Sequence, residues 1–416
     1  MFESFTIILS LAALFNYINY RWFKLPTTIG LMIMALLTSL LVIASKKILP
    51  SLYEFFCQIV VEIDFKILLM DVMLSFLLFA GALHVNIHQL EKEKNAVFLF
   101  ATLGVLTSTI LVGGGLYFLG SLVGISIPFL HCLLFGALIS PTDPIAVIAI
   151  LKEANISKSL ELKIEGESLF NDGIGVAVFT AVILLIEAQQ AMEETSIVEE
   201  VLLVFGKEAV GGILFGLLIG YLGWKMMHSV KENTHLVVLL TLAIALGGYG
   251  LAGILELSGP LAMVVAGLYI GNQLNHPDFE VHNREIFTSF WEILDDTLNA
   301  ILFVLIGLMI HLLEFNMQYF ILAIASIILV LLARSISIFI PFSFLKKNQT
   351  IKLLPTLGIL VWGGLRGGIS VALALSLPQS YSGDLILFIT YIVVIFSILF
   401  QGLTLGNLVK FLGNKI

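Results

Sequence analysis

Six ionisable side chains fall in stretches of this sequence that are otherwise almost wholly apolar: Asp143, Glu165, Glu167, Asp172, Arg334 and Arg366. An ionised side chain at the centre of a bilayer costs roughly 2.5 to 3.5 kcal/mol on insertion scales, so such groups persist where they are paired, solvated or functional. In the run Glu165-Gly166-Glu167-Ser168-Leu169-Phe170-Asn171-Asp172-Gly173, Ser168 and Asp172 stand one helical turn apart and share a face. Glu167 and Asn171 form a second stripe about 100° around the helix. A hydroxyl beside a carboxylate offers hard oxygen ligands suited to a small monovalent cation such as Na+. Carbonyls freed at a helix break complete such a shell, and Thr142 lies within Ser140-Pro141-Thr142-Asp143-Pro144, where the two prolines forbid a continuous helix. The expected cation site is therefore Asp172, Ser168 and Thr142. Asp143, at the same break, is placed either to ligate the ion or to accept a hydrogen bond beside it. The Glu167/Asn171 stripe reads as structural. Glu167 is expected to pair with Arg366, because two opposite charges buried on separate helices must neutralise each other, so that Arg366→Ala would strand Glu167. Arg334 is expected to stabilise the same core by bonding carbonyls or a carboxylate.

Counting Asp143, Glu167 and Asp172 against Arg334 and Arg366 leaves one carboxylate in excess. A desolvated carboxylate without a cationic partner is most stable when something neutralises it, and a proton or an alkali ion does so equally. The two therefore compete. If only the loaded, neutral states cross an apolar barrier, exchange of one ion for the other follows. Asp172 is the group assigned to that role.

The elements that must hold these residues follow from composition. The chain has 416 residues, 59% of them apolar and 12% charged, with ten prolines, which excludes an ordinary soluble globule and predicts an all-α polytopic membrane protein. At roughly 20 residues per crossing, hydropathy predicts spans near 4–20, 25–45, 63–86, 96–122, 128–151, 164–187, 201–224, 233–253, 257–272, 296–313, 317–342, 354–377 and 383–411, about thirteen in all. The start, Met1-Phe2-Glu3, lacks a basic signal-peptide region, so the first span is read as retained. With the N-terminus outside, most lysines and arginines, from Arg21 and Lys24 to Lys410 and Lys415, fall on cytoplasmic connections, against Lys46 and Lys47. That predicts a cytoplasmic C-terminus and residence in a plasma membrane, the inner membrane of a bacterium. The fifth span carries the proline break and the twelfth carries Gly363-Gly364-Leu365-Arg366-Gly367-Gly368. Seven spans apart, the two run in opposite directions, as inverted-topology repeats with discontinuous helices require. A net charge of −8 speaks against nucleic acid as a partner, and two lone cysteines, Cys57 and Cys132, offer neither a disulfide framework nor a thiolate metal site. No cofactor is expected.

Thr142-Asp143-Pro144, the run from Glu165 to Asp172, Gly363-Gly364-Leu365-Arg366-Gly367, Gln401-Gly402-Leu403-Thr404, Phe290-Trp291-Glu292 with Asn299 and Phe303 to Gly307, and Ala333-Arg334 resemble, in this order, the type-1 monovalent cation:proton antiporters, the NhaP-like and NHE sodium/proton exchangers. The resemblance covers nearly the whole chain. It implies a thirteen-span fold in homodimers, with a mobile core sliding against a dimerisation scaffold. On that basis residues 1–94 and 233–316 are scaffold, 95–187 and 317–416 are the two halves of the core, and 188–232 is a linker helix. It further implies that Asp172 binds both cation and proton, that Thr142 and Ser168 contribute oxygens, that Glu167 and Arg366 pair, and that Asn171 and Asp143 support the site. Asn171-Asp172, where relatives have two aspartates, marks the branch expected to exchange one Na+ for one H+ without net charge movement. Ala80 departs from the pattern, standing where many bacterial relatives carry a glutamate.

Other functions fit less well. A cation channel or K+ efflux system of the wider superfamily would share the broken helices but is expected to carry a nucleotide-binding domain after the last span. An intramembrane protease would need Tyr-Asp with Gly-x-Gly-Asp, or Gly-x-Ser-Gly with histidine, and neither motif occurs; a pump would need a P-loop or a phosphorylation domain. The chain is therefore expected to be no enzyme. Its partners are expected to be Na+ (or Li+ or K+), H+, the lipid bilayer and a second copy of itself. His84 and His88 have the spacing of metal ligands but no third ligand nearby, and Asp295 and Asp296 read as a solvated helix N-terminus.

Overall fold

The computed structural model describes residues 2–61, 67–153, 158–190, 197–274, 281–345 and 353–413. Among these residues it is all helical. In chain order the helices are α1 (Phe2–Ile18), α2 (Thr27–Ser45), α3 (Pro50–Val61), α4 (Leu74–His84), α5 (Ile87–Leu99), α6 (Val105–Val123), α7 (Phe129–Ile139), α8 (Ile145–Glu153) and α9 (Lys158–Gln190). The second half has α10 (Ile197–Ser229), α11 (Thr234–Ile254), α12 (Gly259–Gln273), α13 (Val281–Leu308), α14 (Met317–Leu345), α15 (Leu353–Trp362), α16 (Gly368–Leu375), α17 (Gly383–Ile395) and α18 (Gly402–Gly413). Five-residue π stretches such as Phe100–Gly104 join α5 to α6 without a break in the rod. Nine helical runs among the described residues are long and apolar enough to cross a membrane.

Both expected breaks are present. The fifth expected crossing divides into α7 and α8, and the twelfth into α15 and α16. Pro141 and Pro144 supply no amide to the preceding turn, so α7 stops at Ile139, and Asp143 restarts the chain by accepting the Ile145 amide on Oδ1 at 3.0 Å. The two breaks cross in contact: the Asp143 amide donates to the Leu365 carbonyl at 2.7 Å. A side chain at Gly367 would collide with Asp143, so glycine is what lets the second break approach the first.

Small residues set the remaining packing around the crossing. Gly136 of α7 lies on the backbone of α6 at Thr109, and Gly267 and Gly271 of α12 lie on α4 at Phe79 and Leu83. One apolar core joins α2, α6, α7, α13, α14, α16 and α17, and a second joins α4, α11 and α12. Two elements differ from expectation. α3 is a short helix that the hydropathy windows do not predict, and α13 begins at Val281, well before the span expected from 296, because its first turns carry charges that lower the window average. Lys163, expected on a cytoplasmic connection, is buried inside α9 and pairs with Glu93 of α5 at 3.4 Å. Lys346, Lys347, Lys352 and Lys415 of the charge argument lie outside the described residues.

Candidate ion-binding site

A cavity of about 280 Å³ opens beside the crossing, between α4, the first break, α9, α13 and α16. Asp172, Ser168, Thr142 and Asp143 all line it. Glu167 and Asn171 do not; they point into the protein and are 2% and 1% exposed. The turn spacing within α9 thus separates a face toward the cavity from a face toward the core.

The inward face fixes the break in place. Asn171 donates from Nδ2 to the Thr142 hydroxyl at 2.9 Å, and its Oδ1 accepts the Thr142 amide at 3.4 Å. Ser168 donates its hydroxyl to the Thr142 carbonyl. Its Oγ lone pairs and the second lone pair of that carbonyl remain free to face a cation. Asp143 spends one carboxylate oxygen on the Ile145 amide. Asp172 is different: it makes no hydrogen bond or ion pair with any described residue. It is a carboxylate with its full acceptor capacity turned to the cavity.

Arg334 bonds a carboxylate, as expected, but that carboxylate is Glu167, the partner expected for Arg366. Glu167 pairs with Arg334, not Arg366, in a two-pronged bridge with Nη1 to Oε1 at 2.5 Å and Nη2 to Oε2 at 3.1 Å. Arg366 instead donates from Nη1 to the carbonyls of Ser140 and Pro141, the latter at 3.1 Å. The cause is the first break. The last carbonyls of α7 have no amides to receive, and they carry the negative end of the α7 dipole. Arg366, on the facing break with its own amide bound to Ser397 Oγ at 2.9 Å, is the donor within reach of them. Arg334, coming from α14, is left to reach Glu167.

Further polar residues line the cavity outside the expected ion site. Glu165 is on the wall, and Asp295 and Asn299 of α13 face the same space with Leu302. Asp295 is not at a helix start, because α13 begins at Val281. The positions of Asp295, Asn299 and Leu302 repeat at one and two turns, a signal readable once the helix start is known. His84 also lines the cavity, while the side chain of His88 lies outside the described residues. Ala80 is 1% exposed in the α4 interior and contributes no polar atom. Among the described residues no group of histidine, cysteine and acidic side chains is arranged to hold a metal ion tightly.

Residues 7–411 match the model of the sodium/hydrogen exchanger transmembrane family. The chain belongs to that family. The sodium/hydrogen exchangers are transporters and not enzymes. The chain is 44% identical over 415 residues to the Na+/H+ antiporter NhaP of Pseudomonas aeruginosa, covering 99% of this chain and 96% of that one. It is 32% identical over 394 residues to the Na+/H+ antiporter NhaH of Halobacillus dabanensis, covering 94% and 93%. The structure of the sodium proton antiporter MjNhaP1 of Methanocaldococcus jannaschii superposes with a TM-score of 0.73 at 21% identity, covering 99% of this chain and 97% of that chain. The two chains share one fold.

Proposed function

We propose that this sodium/hydrogen exchanger moves one Na+ in exchange for one H+ by alternating access, with both ions competing for Asp172. The observation that carries this reading is that Asp172 is unpartnered at a cavity wall, while Glu167 is bridged by Arg334 and Asp143 is held by a backbone amide. A cation entering the cavity meets the Asp172 carboxylate, Ser168 Oγ and the oxygens of Thr142. Asp143 supports that shell. A proton on Asp172 removes the same charge and expels the cation. With neither bound, the carboxylate is a bare charge in an apolar wall, the state least able to change sides.

The moving body follows from the bonds across the crossing. Asp143 to Leu365, Arg366 to Ser140 and Pro141, and Asn171 to Thr142 tie both broken helices and α9 into one unit. That unit belongs to residues 95–187 and 317–416, and slides against residues 1–94 and 233–316, with 188–232 as the link. The scaffold side pairs with a second copy. The protein sits in a bacterial inner membrane, N-terminus outside and C-terminus in the cytoplasm. Na+, or Li+ or K+ in its place, is the cargo.

Sodium-dependent proton flux into proteoliposomes tests the assignment. Asp172→Asn keeps the shape and removes the titratable charge, and is expected to abolish exchange while the protein still inserts. Exchange at the normal rate in that variant would overturn it.

A further inference from the structure

On the far side of the crossing from the ion cavity lies a second, much smaller cavity of about 10 Å³, room for a single water-sized body. Arg334, Arg366, Gly364 and Gln401 line it, with apolar side chains that include Val330, Val393 and Phe396. Both arginines are more than nine-tenths buried, at 6% and 2% exposure. Each has a buried nitrogen with no hydrogen-bond partner among the described residues: Nε of Arg334 and Nη2 of Arg366. Arg334 has given both terminal nitrogens to Glu167, and Arg366 has given Nη1 to two carbonyls. Gly364 leaves Nε of Arg334 uncovered, since a Cβ there would lie 2.5 Å from it.

Two guanidinium groups thus face one carboxylate, and both oxygens of that carboxylate are already taken by Arg334. Asp143 does not correct the balance locally. It lines the ion cavity on the other side, and its Oδ1 is bound to the Ile145 amide. The Ser140 and Pro141 carbonyls supply only partial charge. A buried positive charge with two idle N–H donors around a small apolar-walled space calls for an anion.

We propose that this cavity is a resident site for one small monovalent anion, a halide such as chloride, held between Arg334 Nε and Arg366 Nη2. The anion is a fixed part of the transport core, not cargo. It neutralises the arginine pair whichever ion occupies Asp172, and it braces α14 against the second break. Chloride and bromide are larger than water, so the surrounding side chains give by a few tenths of an ångström to admit one, and larger anions are shut out. Gluconate and sulfate are excluded by volume, and the mostly apolar lining suits a weakly hydrated halide better than a strongly hydrated one.

The test uses the purified full chain and needs no transport, so its outcome is separate from that of the exchange reading. Protein crystallised in sodium bromide is expected to show an anomalous bromide peak between the two arginines. In solution, chloride is expected to raise the unfolding midpoint by roughly 3 °C or more over gluconate at equal sodium, pH and ionic strength. Val393→Leu, which fills the space without touching a charge, should lose that chloride-specific rise. Gly364→Ala, which covers Arg334 Nε, should lose it as well. A cavity holding water alone in bromide crystals, or equal midpoints in chloride and gluconate for the unsubstituted protein, would overturn the proposal.

Discussion

Asp172 and Arg334 lie on two different tiers of the same constellation, one exposed to a cavity and the other locked to a carboxylate. Removing each should therefore fail differently. Arg334→Ala leaves Glu167, 2% exposed, without its counter-charge, at a cost of about 3–5 kcal/mol. Arg366→Ala leaves Glu167 still bridged and frees two carbonyls, a loss of about 1–3 kcal/mol for each one that finds no other donor. The expected order is that Arg334→Ala lowers the unfolding midpoint more than Arg366→Ala, read by fluorescence-detected melting in detergent. The reverse order would mean that Glu167 leans on Arg366 in the membrane. This is also where the sequence was only partly legible. Ser168, Asp172, Glu167 and Asn171 declare their faces through helical spacing alone. Which arginine meets Glu167 is a matter of three-dimensional reach between segments over a hundred residues apart, and two arginines at similar depth give a pattern reading nothing to choose by.

Among the elements, the breaks were legible because proline and glycine act locally: Pro141 and Pro144 end α7 wherever the rest of the chain goes. The start of α13 was not, because a hydropathy window averages over Asp295 and Asp296 and assigns the polar first turns to a loop, although the helix runs on from Val281. The contact between the breaks gives a test at this scale. A methyl group at Gly367 would press on the Asp143 side chain, whereas one at Gly114 on α6 meets nothing within 4 Å. Overpacking of this kind costs about 1–3 kcal/mol, and here it falls on the residue beside the ion. Gly367→Ala is expected to weaken apparent Na+ affinity by roughly tenfold, and Gly114→Ala to leave it unchanged. Sodium dependence of proton flux measured for both variants decides the point; equal affinities would show that the two breaks are not in contact during transport.

For the whole molecule, the charge count sets both the pH response and the electrical response. One site shared by H+ and Na+ means that, below the ionisation of Asp172, each unit fall in pH weakens apparent Na+ affinity by up to about tenfold, while well above it the affinity levels off. A Na+ affinity that stays constant between about pH 6 and 8.5 would count against a shared site. Stoichiometry follows from the same count. On the proposed mechanism Asp172 returns across the membrane carrying either one Na+ or one H+, and Glu167, Arg334 and Asp143 keep their bonds in both directions, so the moving unit bears the same net charge on each leg. A potential acts only on a difference in charge between the legs, about 2.3 kcal/mol per elementary charge per 100 mV. Imposing 100 mV of either sign on proteoliposomes with a potassium–valinomycin gradient should therefore leave the rate of Na+-driven proton movement unchanged. If the rate instead rises for one polarity and falls for the other, a second proton accompanies each turnover. Asp143, Glu165 or Asp295, the remaining carboxylates on the cavity wall, would then have to carry it.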